Sequence, residues 1–301
     1  MRLKPRVVVA IGVVFTAFSA ILVRLSDAPP LAVASWRMIF TTALLAPLVV
    51  YERTRGGPPR TAQDDDAPGP GRTGVILLSV ASGAFLALHF ALWITSLSYT
   101  SVASSTILVT THPVIVGVAG HLLLGERITL RGVLSMLSAL AGSVLLVWGG
   151  FGAGEAAAFG NLLAFLGAVT VSGYLILGRV ARRRLSVNGY TIIVYPVAAA
   201  LLVGASVLLR VPLGPYPVRE ILIFLGLALF CTLLGHSLFN WALKYVSPTI
   251  VSTSILGEPV IAAFLAVLLF GEVPALLTFV GGSVILVSVY GFMKSVTHPA
   301  A

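Results

Sequence analysis

Cysteine is almost missing: Cys231 is the one thiol in 301 residues. An intrachain disulfide and any cysteine-based metal centre are therefore excluded. Charge is scarce too, at 10% of residues, with 10 acids against 19 lysines and arginines. No Gly-x-x-x-x-Gly-Lys-Ser/Thr phosphate loop occurs, which leaves ATP-driven transport by this chain unsupported. The only acidic run, Asp64-Asp65-Asp66, sits among prolines and glycines. Three consecutive residues cannot share one helical face, and there is no second cluster to hold another cation. A membrane-embedded enzyme acting on a lipid-linked substrate would need such clusters, so it stands only as the alternative reading. The chain is expected not to be an enzyme, and no metal or other cofactor is expected.

What the chain has is apolar surface. Hydrophobic residues make up 58% of it and the mean hydropathy is +1.04, more than a soluble core of this length could hide. Crossing a bilayer takes about 20 helical residues. Ten segments approach that length, at roughly 6–25, 31–51, 73–97, 102–124, 129–148, 159–178, 189–209, 219–243, 249–270 and 274–293. Runs such as Val260 to Phe270 do not alternate as barrel strands do. The expected class is an all-α integral membrane protein with ten transmembrane helices. Basic residues sort by loop. The N-terminus, the loops near residues 53–72, 127–131, 179–184 and 244, and Lys294 hold 15 of the 19; Arg24, Arg37, Arg210 and Arg219 lie on the other side. The +9 charge therefore reads as a positive-inside bias with both termini cytoplasmic in the plasma membrane, not as a nucleic-acid surface. Residues 7–23 follow basic residues as in a signal peptide. Ser26-Asp27-Ala28-Pro29-Pro30 is a poor cleavage site, so they read as a retained first helix.

The chain is also doubled. His112-Pro113-Val114-Ile115 with Gly125-Glu126 returns as Glu258-Pro259-Val260-Ile261 with Gly271-Glu272, 146 positions on; Leu92, Leu97, Tyr99 and Ser101 fall on Leu238, Leu243, Tyr245 and Ser247. We divide it into 1–150, with a flexible cytoplasmic loop over 52–72, and 151–301, joined by a Gly-rich link over 149–158. Five helices per half is an odd number, so the second half enters the membrane from the opposite side. Such inverted repeats are related by a two-fold axis in the membrane plane and hold substrate at mid-depth between them, which gives alternating access.

The segments Arg24 to Arg37 (RLSDAPPLAVASWR), Leu88 to Val114 (LHFALWITSLSYTSVASSTILVTTHPV) and Gly235 to Glu272 (GHSLFNWALKYVSPTIVSTSILGEPVIAAFLAVLLFGE) resemble the EamA-type transporters of the drug/metabolite transporter superfamily. The resemblance implies ten helices, cytoplasmic termini, a central cavity shared by two five-helix repeats, and export or exchange of small metabolites, often amino acids. The partners it implies are a small-molecule substrate and the lipid bilayer. Monomer and homodimer stay open.

An ionisable group at mid-membrane costs about 2.5–3.5 kcal/mol and calls for a partner or a wet cavity. Glu258 is the deepest, one position before Pro259, where the Ile255 carbonyl loses its backbone partner. His112 is its repeat mate, also before a proline. Both are candidates for substrate binding and proton coupling, with helix packing as the plainer role. His236 with Asn240, and His89 with Trp93, share helix faces at four-residue spacing and are candidates to line the cavity. Tyr174 and Tyr195 are weaker candidates. Arg37 has a stem long enough to reach outward, and the resemblance places an arginine there, suited to an anionic group or an outer gate. Arg24 and Asp27 read as a helix-end pair. The small residues from Ser101 to Thr106 and from Ser252 to Gly257 read as packing surfaces, and Glu126 and Glu272 as helix-end structure.

Overall fold

The computed structural model describes residues 4–54, 71–100, 102–125, 128–147, 155–270 and 276–295. The Asp64–Asp66 run, most of the 52–72 loop, Ser101, Glu126, Arg127, Gly149-Gly150 and Gly271-Glu272 lie outside the described residues. Among the described residues every regular element is helical. The first half holds α1 (Pro5–Arg24), α2 (Pro30–Thr54), α3 (Arg72–Ser96), α4 (Val102–Val109), α5 (His112–Leu124) and α6 (Leu130–Val147). The second holds α7 (Glu155–Arg182), α8 (Val187–Leu208), α9 (Val218–Gly226), a π-helical stretch (Leu227–His236), α10 (Ser237–Ala242), α11 (Pro248–Ile255), α12 (Glu258–Phe270) and α13 (Leu276–Ser295). Among the described residues six helices are long and apolar enough to cross a bilayer, counting α9, the π stretch and α10 as one. Their outer faces carry exposed leucines and valines such as Leu77, Val207 and Leu222, the surface that lipid covers.

Local sequence accounts for the ends of these helices. Pro5 and Pro248 occupy first-turn positions, where a missing N–H costs nothing. Ser186 and Ser247 cap α8 and α11 by accepting the Gly189 and Ile250 N–H groups. Gly125 closes α5 in a left-handed conformation, φ 67°, which a Cβ would strain.

The 146-residue register is obeyed helix by helix from Arg72 onward. Starts match at 72 and 218 and at 112 and 258; ends match at 96 and 242 and at 109 and 255. Contacts between the halves are matched as well. α1 packs on the π stretch and α10 as α7 packs on α3, and α1 on α11 and α12 as α7 on α4 and α5; α5 meets α11 as α12 meets α4, and α2 meets α8 and α6 meets α13 mate to mate. Each contact is either mirrored or lies between mates, the pattern a two-fold axis produces. Small residues permit the close approaches. A Cβ on Gly142 in α6 would sit 2.9 Å from the Gly281 carbonyl oxygen of α13, and one on Gly83 in α3 would sit 2.8 Å from that of Val194 in α8.

Several expectations need correction. The segments 102–124 and 249–270 are not continuous helices, because each is interrupted, at Thr110-Thr111 and at Leu256-Gly257. The helix read at 159–178 runs from Glu155 to Arg182, so Arg179 and Arg182 belong to its last turn and not to a loop.

Candidate functional site

Both interruptions fall where proline removes a backbone donor. Pro113 leaves the Val109 carbonyl without its helical partner, and the His112 ring fills the gap: Nδ1 lies 2.9 Å from that oxygen. A carbonyl can only accept, so Nδ1 carries a proton, and in the neutral form of the ring Nε2 is bare. His89 is held the same way by the Gly167 carbonyl, at 3.0 Å.

Between the interruptions lies a cavity of about 50 Å³. Four repeat pairs build much of its wall: Phe90 with His236, Trp93 with Phe239, Val109 with Ile255, and His112 with Glu258. Each pair stands 146 positions apart, so the cavity lies on the pseudo-two-fold axis. Thr16, Ser19, Arg37 and His89 also face it. The rings stack on one another: His89 lies parallel to Trp93 with centroids 6.0 Å apart, and His236 meets Phe90 edge-on at 5.4 Å. The π stretch ends at His236; such turns recur at functional sites because they re-aim side chains within a helix.

Arg37 corrects an expectation: its side chain does not reach outward but is fully buried. Its Nε donates to Thr232 Oγ1 at 2.8 Å and its Nη1 to Ser19 Oγ at 2.9 Å. Its guanidinium carbon lies 4.1 Å from the Phe90 ring centroid, and Nη2 has no partner. Among the described residues the ion pairs are Arg219 with Asp27 and Arg219 with Glu220, so Arg37 and Glu258 share the cavity without ion-pair contact. Glu258 is half-buried, beside Thr16. Trp93 Nε1, His112 Nε2 and His236 Nδ1 are likewise buried without a partner. Four unpaired polar atoms around one cavity is the state of a site that receives a polar guest or water.

Six of the sequence-derived candidates thus meet at one place: Arg37, His89, Trp93, His112, His236 and Glu258. The other three are brought together behind the wall. Tyr174 Oη donates to Asn240 Oδ1 at 2.7 Å, and Asn240 Nδ2 donates to Tyr195 Oη at 3.2 Å, which bonds Ser237 Oγ at 2.9 Å. Tyr174, Tyr195 and Asn240 are completely buried, and Tyr174 adjoins His236 with ring centroids 6.1 Å apart. Sequence reasoning missed Thr16, Ser19, Phe90 and Phe239. The repeat offset could have found the last two, since Phe90 is the mate of His236 and Phe239 that of Trp93.

The two rims are held differently: one joins the halves, and the other joins helices within the second half. At one, the buried Glu220 carboxylate accepts from Ser26 Oγ and from the Asp27 N–H, the latter at 3.1 Å. Arg219 donates to Asp27 Oδ2 and to the Leu25 carbonyl, each at 2.6 Å, and Trp36 Nε1 donates to the Leu213 carbonyl at 2.9 Å. Asp27 therefore pairs with Arg219, not with Arg24 as expected; Arg24 is exposed. A second cavity of about 290 Å³ opens here among prolines. Tyr216 borders it; partial burial and then the nearby Glu220 carboxylate hold its phenol above the ordinary range. At the other rim, Arg182 Nε donates to the Asn240 carbonyl at 2.8 Å and Nη1 to that of Leu185, while Arg179 donates to Leu243. The Asn240 and Leu243 carbonyls lie at the end of α10, where positive charge is favoured.

Comparison with known proteins bears on the family and the fold. The family described as the EamA-like transporter family matches residues 5–148 and 158–294. No curated protein matches the sequence. A crystal structure of a protein that carries no more specific description is similar over 98% of this chain and 99% of its own, with a TM-score of 0.77 and 16% identity. At that identity the likeness speaks for the fold alone.

Proposed function

Because the chain belongs to the EamA-like transporter family, and is thus a multi-pass membrane protein of a transporter family, we propose that it is a secondary transporter of the plasma membrane. It exports or exchanges a small polar metabolite, such as an amino acid, by alternating access. Counting α4 with α5, α9 with the π stretch and α10, and α11 with α12 as single crossings gives ten spans. Five in 1–150 and five in 151–301 make the repeats inverted and put both termini in the cytoplasm. The protein works as a monomer or a homodimer.

One observation carries this reading: the cavity is assembled from matched residues of both repeats and is edged by buried polar atoms without partners. A pocket on the axis between repeats can be exposed to either side as one repeat rocks against the other. Arg37, His89, Trp93, His112, His236 and Glu258 bind the substrate; Asn240, Tyr174 and Tyr195 complete the site from behind. Glu258 and His112, at the two interruptions, carry the coupling proton.

The test is flux in proteoliposomes. Glu258→Gln should abolish the dependence of transport on a pH gradient while the protein still folds, and His112→Ala should weaken it. Unchanged gradient dependence in both variants removes the coupling role, and absence of flux for every solute tried removes transport itself.

A further inference from the structure

The atoms that edge the central cavity fall into donors and acceptors, and their arrangement restricts what can be bound. Arg37 is the strongest donor. Its bonded nitrogens reach only the neutral hydroxyls of Thr232 and Ser19, the Phe90 ring lies close to its guanidinium, and Nη2 is left open. No carboxylate touches this wholly buried guanidinium; Glu258 acts on it only across the cavity, so a guest anion can make the direct contact that the chain does not. With Nε and Nη1 engaged, Nη2 is what remains to hold an oxygen of an anion by a charge-assisted bond. Trp93 Nε1–H is a second open donor in the same wall.

His112 supplies the opposite requirement. Pro113 frees the Val109 carbonyl, that carbonyl holds the Nδ1 proton, and Nε2 is left as a buried acceptor with no donor on the chain. A guest lacking an N–H or O–H group would seal that acceptor unpaired, the situation that gives sites their sharpest discrimination. The cavity is small, about 50 Å³, so the two features of the guest must sit close together.

We infer that the cavity takes a compact organic acid: one carboxylate held by Arg37 and Trp93, with a hydroxyl or amino group on the adjacent carbon donating to His112. This rests on the reading of the cavity as the transport site. The hydroxy acid and the amino acid share this chemistry and differ in charge at the second group. An ammonium would also engage Glu258, whereas a hydroxyl would not need it.

The experiment is calorimetric titration of the purified protein in lipid nanodiscs with 2-hydroxypropanoate, 2-aminopropanoate, propanoate and 2-hydroxypropanamide. At least one of the substituted acids should bind about ten-fold or more tighter than both propanoate and the amide. His112→Phe should reduce the preference over propanoate to about two-fold or less, through tighter binding of propanoate, which no longer seals an unpaired acceptor, as well as weaker binding of the substituted acid, a pattern that a merely structural role would not give. His112→Gln, whose amide oxygen can accept, should retain part of the preference. Arg37→Gln should abolish acid binding, and Glu258→Gln should weaken only the amino acid.

Equal binding of propanoate or the amide by the wild type overturns the inference, as does failure of every acid to bind or an unchanged preference in folded His112→Phe. If His112→Phe does not fold, His112→Ala is titrated in its place. Flux of an uncharged solute without acid binding sinks the inference and spares transport; acid binding without flux of any solute does the reverse.

Discussion

At the residue scale, Arg37 shows how neutral groups can hold a cation inside an apolar bundle. Its Nε and Nη1 are bonded, so removing Thr232 or Ser19 leaves a charged donor unmet in a buried place. Thr232→Val should lower stability by about 1–3 kcal/mol, seen as an earlier thermal unfolding transition in detergent, and Ser19→Ala should act in the same direction. The ionisable members of the site were legible in the sequence because a histidine, arginine or glutamate amid apolar residues calls for a reason. Thr16 and Ser19 were not, since hydroxyls are ordinary in membrane helices and usually bond their own backbone, as Thr16 does to Val13 at 3.1 Å. The direction of Arg37 was hidden for a related reason: a long stem permits both an outward and an inward course, and only its partners on α1 and the π stretch decide between them.

At the element scale, proline marked the middle of each interrupted pair, but not the outcome. The loss of one donor before Val114 and Val260 is readable as a kink, whereas complete separation into α4 with α5 and α11 with α12 depends on what satisfies the freed carbonyl. In the first half the His112 ring does so. The π stretch had no sequence signal of comparable strength, because nothing in Leu227 to His236 forbids an ordinary α-helix; the Thr232 hydroxyl bonded to the Leu227 carbonyl at 3.1 Å is a tertiary choice linked to Arg37. Packing between helices is more sharply determined. With only 2.9 Å between a Cβ on Gly142 and the Gly281 oxygen, Gly142→Val should force α6 away from α13 and destabilise the protein by about 1–3 kcal/mol. A thermal melt of that variant beside Gly204→Ala, where no atom stands within 4 Å of the added carbon, separates crowding from a general effect of losing glycine.

At the scale of the whole molecule, the repeat was legible to the residue, and from Arg72 onward the helix limits keep its spacing. The first two helices of each half do not share that spacing, since α1 and α7 end at 24 and 182, and α2 and α8 begin at 30 and 187; connections of unequal length break the register without disturbing the packing. The duplication also has a consequence for traffic. Were the halves of the transporter proposed above chemically identical, its inward and outward forms would be superposable and would grip cargo equally from either face. Phe90 facing His236, Trp93 facing Phe239 and His112 facing Glu258 deny the molecule that equivalence. Half-saturating cargo concentrations measured on opposite faces of oriented vesicles should therefore differ, and restoring one like-for-like couple, by Glu258→His, should bring the two values closer together.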